Sequence, residues 1–137
     1  LISIKPQVNP VKTFKKWKTS TQSKLRLTSH VDGSIVRIRL RNFLTYSHTE
    51  FYPGPSMNMV IGPNGTGKST VVCAIALGLG GKPDVLGRAK ELQDFIKHGE
   101  TKSRIEIELK DSENKIISRT SQKGSGQSKW AINGIRY

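Results

Sequence analysis

The 137 residues suffice for one domain, and a hydrophobic share of 34% leaves part of the chain outside any core. Net charge is +13, from 23 basic and 10 acidic side chains, which points to a polyanionic partner: nucleic acid, a nucleotide or an anionic surface. No apolar run approaches the ~20 residues of a membrane-spanning helix, no signal peptide is visible, and the single Cys73 excludes an internal disulfide. One cysteine fits a reducing compartment. The chain begins at Leu1 rather than Met and is expected to be a fragment or a processed product.

Residues 1–32 read as a basic tail, disordered or docked on a partner. They carry seven Lys or Arg against Asp32 alone, and show no sustained apolar period that could bury surface. Phe14 and Trp17 stand among Lys12, Lys15, Lys16 and Lys18. That mixture suits gripping a phosphate backbone while stacking on bases, and equally suits docking on a protein or plain solvation.

The folded part, residues 33–137, opens with SIVRIRLRNF. Val36, Ile38 and Leu40 alternate with Arg37, Arg39 and Arg41, the pattern of a half-buried antiparallel strand. The three arginines form either a DNA-facing stripe or a solvated face with salt-bridge partners. Pro53-Gly54-Pro55 forces a turn, and residues 57–61, MNMVI, predict a short buried strand entering a glycine loop. The run STVVCAIALGLGG is apolar on nearly all sides, so it predicts a helix that other structure must enclose, ended by Gly80 and Gly81. GRAKELQDFIKHG predicts a short amphipathic helix through Ala89, Leu92 and Ile96, with Gly99 as its cap. Ile105, Ile107 and Leu109 alternate with Arg104, Glu106 and Glu108; a turn at residues 111–114 reverses this strand into KIISRT. A QKGSGQSK loop follows, then a hairpin around Asn133-Gly134.

Residues 62–69, GPNGTGKS, match G-x-x-x-x-G-K-[ST] without mismatch, with an apolar strand before and a buried helix after. Glycines let the backbone wrap the phosphates with its N–H groups turned inward, and the helix start adds a fixed positive pole. Lys68 would reach the β- and γ-phosphates, and the Ser69 hydroxyl would ligate Mg²⁺. Hydrolysis also needs an apolar strand ending in acids, to hold the metal and orient water. The sequence has none; IEIELKD comes nearest, but its glutamates alternate on a half-exposed strand. A full P-loop sheet also needs repeated strand–helix units, and here there is one. The expectation is an α/β piece that binds ATP–Mg²⁺ and needs another segment to cleave it. No N-K-x-D motif occurs, so a guanine-specific small GTPase is not the reading.

GSIVRIRLRNFLTY, NMVIGPNGTGKST, CAIALGLGGKP and LGRAKELQDFIKHG, in that order before the ING hairpin, resemble the N-terminal half of the ATPase head of the structural-maintenance-of-chromosomes (SMC) family. The turn at Phe51-Tyr52-Pro53-Gly54-Pro55 and the GLGGKP run favour the fifth member, which pairs with the sixth in a DNA-repair and chromosome-organising complex. The resemblance covers residues 33–137. It implies an ABC/SMC-type P-loop NTPase of which this is the N-terminal lobe: a largely antiparallel sheet plus one P-loop strand and helix. The other lobe, beyond a coiled-coil arm, would carry the signature motif, the acidic Walker B strand and the catalytic glutamate. Two heads would sandwich ATP.

The resemblance also implies residue roles. Gly62, Pro63, Asn64, Gly65, Thr66, Gly67, Lys68, Ser69 and Thr70 match the phosphate loop. Arg88 matches an arginine near the γ-phosphate. The segment with Arg41, Asn42, Thr45 and Tyr46 matches the part beside adenine and ribose. Lys68 and Arg88 would be the catalytic contributions and Ser69 the metal ligand. The DNA-binding candidates are Arg37, Arg39, Arg41, Lys15, Lys16 and Lys18. Implied partners are the C-terminal lobe, the sixth-member head, non-SMC subunits and DNA, in the nucleus on chromosomes, with no membrane. GSGQS, residues 124–128, has a passing likeness to the signature motif but leads into a strand, so it reads as a hairpin loop. The alternatives are a Rad50-like or RecN-like head, or a basic DNA-binding module with a secondary nucleotide site.

Overall fold

A computed structural model describes residues 2–3, 30–62, 65, 67–87 and 90–137. Its main feature is a six-stranded antiparallel sheet. The strands are β2 (Ile35–Phe43), β3 (Tyr46–Phe51), β5 (Lys102–Leu109), β6 (Lys115–Gln122), β7 (Lys129–Ile132) and β8 (Ile135–Arg136). Their order across the sheet is β3-β2-β5-β6-β7-β8. A separate parallel pair joins β1 (Ile2–Ser3) to β4 (Val60–Ile61), so two residues of the expected tail lie in a strand.

Alternation decides the faces of the sheet. Ile38 and Leu40 on β2, and Ile105 and Ile107 on β5, all lie on the inner side and are fully or almost fully buried. Burying each such side chain is worth about 1.5–3 kcal/mol. The reversal between β5 and β6 comes at Asn114, whose φ of 53° suits a residue tolerant of the left-handed region. Asn133 and Gly134, at φ 49° and 83°, make the two-residue β7–β8 turn. Strand β3 was not among the sequence expectations; YSHTEF carries too few apolar residues to announce itself. Its ends are nevertheless fixed by burial of Tyr46 and Phe51, whose rings meet edge to face at 5.7 Å.

The inner face is covered by α1 (Lys68–Gly78), through Thr70, Val71, Cys73, Ala74, Leu77 and Gly78. Gly78 sits where a Cβ would lie 2.6 Å from Ile107 Cδ1 and 2.9 Å from Ile105 Cγ2. Glycine there lets helix and sheet approach closely. The helix that other structure must enclose finds part of that cover within this chain: the sheet lies over one side. The other side is open, with Val72 61% and Leu79 46% exposed.

Two further expectations are overturned. MNMVI is not a buried five-residue strand; only Val60–Ile61 pair, and Met57, Met59 and Ile61 are exposed. A two-residue parallel pair brings too little structure over them to exclude water. GRAKELQDFIKHG is not an α-helix. Of two 3₁₀ turns, the first, Pro83–Leu86, precedes the segment and the second, Leu92–Phe95, lies within it; Arg88 and Ala89 lie outside the described residues. The second turn stops after four residues because its backbone is drawn onto the end of β2. Leu44 N–H donates to the Phe95 carbonyl at 2.9 Å, and Lys97 N–H to the Asn42 carbonyl at 2.9 Å. Phe95 and Ile96 are buried as a result, with Phe95 stacked on Phe43 at 6.0 Å. Gly99 follows extended backbone, so it ends a turn and caps no helix.

Candidate functional site

Three elements meet at the glycine loop: the end of β4, the start of α1 and the β2–β3 hairpin. Gly65 and Gly67 hold φ values of 81° and 91°, a region that costs a side-chain-bearing residue about 1–2 kcal/mol. Gly67 is buried, and a Cβ there would stand 2.8 Å from Tyr46 Oη and 2.9 Å from Thr45 Oγ1. Tyr46 Oη also donates to the Gly67 carbonyl at 3.4 Å. Burial of that ring raises the phenol above its ordinary pKa and keeps the hydroxyl protonated as a donor.

Lys68 begins the helix, and its Nζ donates back to the Gly62 carbonyl at 2.6 Å, spanning the loop. Ser69 is exposed beside it, and Thr70 is buried with its N–H on the Gly67 carbonyl at 3.0 Å. No acidic side chain stands in the first turn of α1. The positive pole of the helix start is therefore not offset by a carboxylate in that turn, which suits it to an anion. Among the described residues, no group of three His, Cys, Asp or Glu could hold a metal unaided. A magnesium ion would fit as one bound by the Ser69 hydroxyl together with phosphate oxygens and water, as that ion commonly is.

Comparison with known proteins bears on this arrangement. The family described as AAA domain matches residues 37–135. Over 90 residues the chain is 56% identical to structural maintenance of chromosomes protein 5 of Schizosaccharomyces pombe, covering 66% of this chain and 8% of that protein. Over 105 residues it is 45% identical to the Arabidopsis thaliana protein of the same name, covering 74% and 10%. This chain belongs to the SMC family, within the AAA-domain proteins. A solved structure concerned with ATP-driven dimerization and DNA-stimulated activation of SMC ATPases shares the fold at a TM-score of 0.69 and 24% identity. The match covers 75% of this chain and 71% of that one. The present SMC chain is the N-terminal lobe of the head, and it spans 8–10% of the length of its curated relatives.

Of the residues singled out in the sequence, this SMC lobe brings Gly62, Gly65, Gly67, Lys68, Ser69 and Thr70 together with Thr45 and Tyr46. Asn42 turns its amide to Glu100 at 2.9 Å, and Arg41 is exposed on the sheet's outer side. Neither has a described contact with the loop. Pro63, Asn64, Thr66, Arg88, Lys15, Lys16 and Lys18 lie outside the described residues. The 124–128 segment is the loop joining β6 to β7, as expected.

One residue that positions the site was missed. Arg119 is buried on the inner face of β6 and donates Nη1 to the carbonyls of Leu77, at 2.8 Å, and Gly81, at 3.0 Å. Its Nε reaches Ser128 Oγ at 2.9 Å, and its guanidinium lies 4.7 Å from the centre of the Trp130 ring. Burial lowers its pKa, yet guanidinium remains charged at any physiological pH. A cation at the negative end of α1 holds the helix against the sheet from the end opposite the loop. The available signal was parity: Arg119 pairs across the sheet with Ile105, an inward position where an arginine needs partners.

The outer face answers the question left open by the three arginines. Arg37 Nε contacts Glu108 at 2.7 Å, while Arg39 contacts Glu50 at 2.6 Å and Glu106 at 3.1 Å. For these two the salt-bridged reading holds. No ion pair among the described residues holds Arg41.

Proposed function

We propose that this lobe binds ATP with Mg²⁺ and supplies half of a composite site in an SMC head. The observation that carries the reading is Gly67, wedged against Thr45 and Tyr46 directly before Lys68. A loop so confined keeps its N–H groups aimed in one direction, which is what phosphate recognition demands. On binding, Lys68 Nζ would leave the Gly62 carbonyl for the β- and γ-phosphates, with Ser69 at the metal and Thr45 and Tyr46 lining the sugar side. Arg88, and Arg41 with Asn42 beside the base, belong to this reading by resemblance.

Lys68 neutralises charge on the phosphates and the loop orients them; among the described residues no apolar strand ends in acids to align an attacking water. Cleavage is therefore assigned to the completed head, once the C-terminal lobe and a second head, that of the sixth member, close over the nucleotide. The resemblance extends the proposal to chromosome organisation and DNA repair in the nucleus, through ATP-driven head engagement around DNA, with non-SMC subunits attached. Titration of the chain with ATP–Mg²⁺ tests the first step. Lys68→Ala should lower affinity by at least ~100-fold, since charge-assisted hydrogen bonds to phosphate carry about 1.5–3 kcal/mol each. Equal binding by wild type and Lys68→Ala would reject the site.

A further inference from the structure

The turn between β2 and β3 holds backbone conformations that one of its side chains disfavours. Asn42 and Leu44 have φ values of 48° and 47°. Asparagine tolerates the left-handed region, whereas a leucine there is an outlier that surrounding structure has to impose. Such outliers collect where function needs a fixed geometry. Here the turn sets Thr45 Oγ1 and Tyr46 Oη 2.9 Å and 2.8 Å from the point a Cβ on Gly67 would occupy. Relaxing residue 44 to negative φ would redirect the chain and carry both side chains away from the glycine loop.

What imposes the conformation comes from far along the chain. Leu44 N–H donates to the Phe95 carbonyl at 2.9 Å and Lys97 N–H to the Asn42 carbonyl at 2.9 Å, with a β-bridge from Phe43 to Ile96 between them. Side chains repeat the tie. The Phe43 and Phe95 rings stack at 6.0 Å, the Asn42 amide donates to Glu100 at 2.9 Å, and Lys97 Nζ donates to Ser47 Oγ at 2.5 Å. The tying segment is itself anchored on its other side. Gly124 N–H donates to Gln93 Oε1 at 3.3 Å, and Glu91 N–H to Asp94 Oδ2 at 3.1 Å.

We propose that residues 95–97 are a latch that holds the β2–β3 turn in its strained form and thereby sets the affinity of the glycine loop for nucleotide. Phe95 and Lys97 are its positioning residues: they act through Leu44, Thr45 and Tyr46, and neither has a described contact with the loop. The proposal rests on the reading of that loop as an ATP–Mg²⁺ site, and names residues which that reading does not. With the latch loosened, Thr45 and Tyr46 withdraw from Gly67 and the loop populates forms whose N–H groups do not converge on phosphate. Apparent affinity then falls in proportion to the fraction still competent, about tenfold if one molecule in ten keeps the form.

The test uses the full-length protein carrying this lobe, with ATP–Mg²⁺ titration and amide hydrogen exchange of residues 42–47 as the two readouts. Phe95→Leu stays apolar but loses the ring stack. Val36→Ala is the control: it truncates a buried side chain at the other end of β2, about 23 Å from Phe43 at about 3.3 Å per residue. Phe95→Leu should speed exchange at 42–47 and weaken ATP binding about tenfold, while Val36→Ala leaves both within about twofold. Adding Leu44→Asn to Phe95→Leu should recover affinity, since asparagine accepts the φ of residue 44 without a latch. Lys97→Met, which keeps the backbone tie and loses only the Ser47 bond, should shift both readouts the same way by less. Equal weakening in Phe95→Leu and Val36→Ala, wild-type affinity in Phe95→Leu, or no recovery with Leu44→Asn overturns the latch. Absence of ATP binding in the wild type rejects the nucleotide reading instead; unchanged exchange at 42–47 in Phe95→Leu overturns the latch whatever the titrations show.

Discussion

Gly67→Ala tests the architecture of the loop, because two independent penalties fall on one methyl group. The backbone at Gly67, φ 91° and ψ 19°, is left-handed and costs an alanine about 1–2 kcal/mol. The added Cβ would also stand 2.8 Å from Tyr46 Oη, 2.9 Å from Thr45 Oγ1 and 3.0 Å from Tyr46 Cζ. Tyr46 is only 6% exposed and packs on Phe51, so it cannot step aside, and overpacking of this kind costs about 1–3 kcal/mol. A combined effect of about 3 kcal/mol corresponds to roughly a 100-fold loss of ATP–Mg²⁺ affinity. If the fold absorbs the strain instead, the melting temperature falls by several degrees. Titration with a fluorescent ATP analogue and a circular-dichroism melt measure both. Adding Tyr46→Phe removes the nearest contact and should recover part of the loss, leaving the backbone term. Wild-type binding and melting in Gly67→Ala, or no recovery on adding Tyr46→Phe, would refute the claim that the hairpin confines the loop.

Three other outcomes are expected. Arg119→Ala leaves the Leu77 and Gly81 carbonyls without their charged donor and should destabilise the chain by about 3 kcal/mol in a denaturant melt. A change below 0.5 kcal/mol would mean that α1 is held without it. Glu50 governs part of the acid limb. Burial alone would raise its pKa, but hydrogen bonds from Tyr52 and Arg39 outweigh that and hold it below the ordinary 4.5. Its stabilising contribution is therefore full above the unfolded pKa and lost as pH falls through the lower folded value. Glu50→Gln should flatten the stability curve below about pH 4.5, and an unchanged curve would contradict the assignment. Finally, Met57, Met59, Ile61, Val72 and Leu79 expose apolar surface that no described residue covers. Sedimentation of the isolated chain should show self-association, reduced by Val72→Lys; a monomer with a cooperative melt would contradict this.

Period-two patterns were legible because one buried face forces them: β2, β5 and β6 follow directly from Val36-Ile38-Leu40, Ile105-Ile107-Leu109 and the turn between the last two. The phosphate loop was legible because glycine, lysine and serine at fixed spacing have few other uses. The failures share a cause. The 87–99 segment has helical spacing, but two of its backbone hydrogen bonds tie it to the end of β2, which lies some 50 residues earlier in the chain and leaves no local trace. MNMVI is apolar enough for a buried strand, yet apolarity does not say whether cover is at hand. Arg119 was hidden because KIISRT alternates loosely; only pairing with β5 reveals that its arginine points inward.

The central claim is that this chain holds ATP but does not turn it over. Phosphate release from ATP–Mg²⁺ by the purified chain, at a concentration where nucleotide binding is saturated, tests it most directly. The account predicts release no faster than that of a Lys68→Ala control, because no strand among the described residues ends in acids that could orient water. Steady multiple-turnover release by the wild-type chain, abolished by Lys68→Ala, would contradict it.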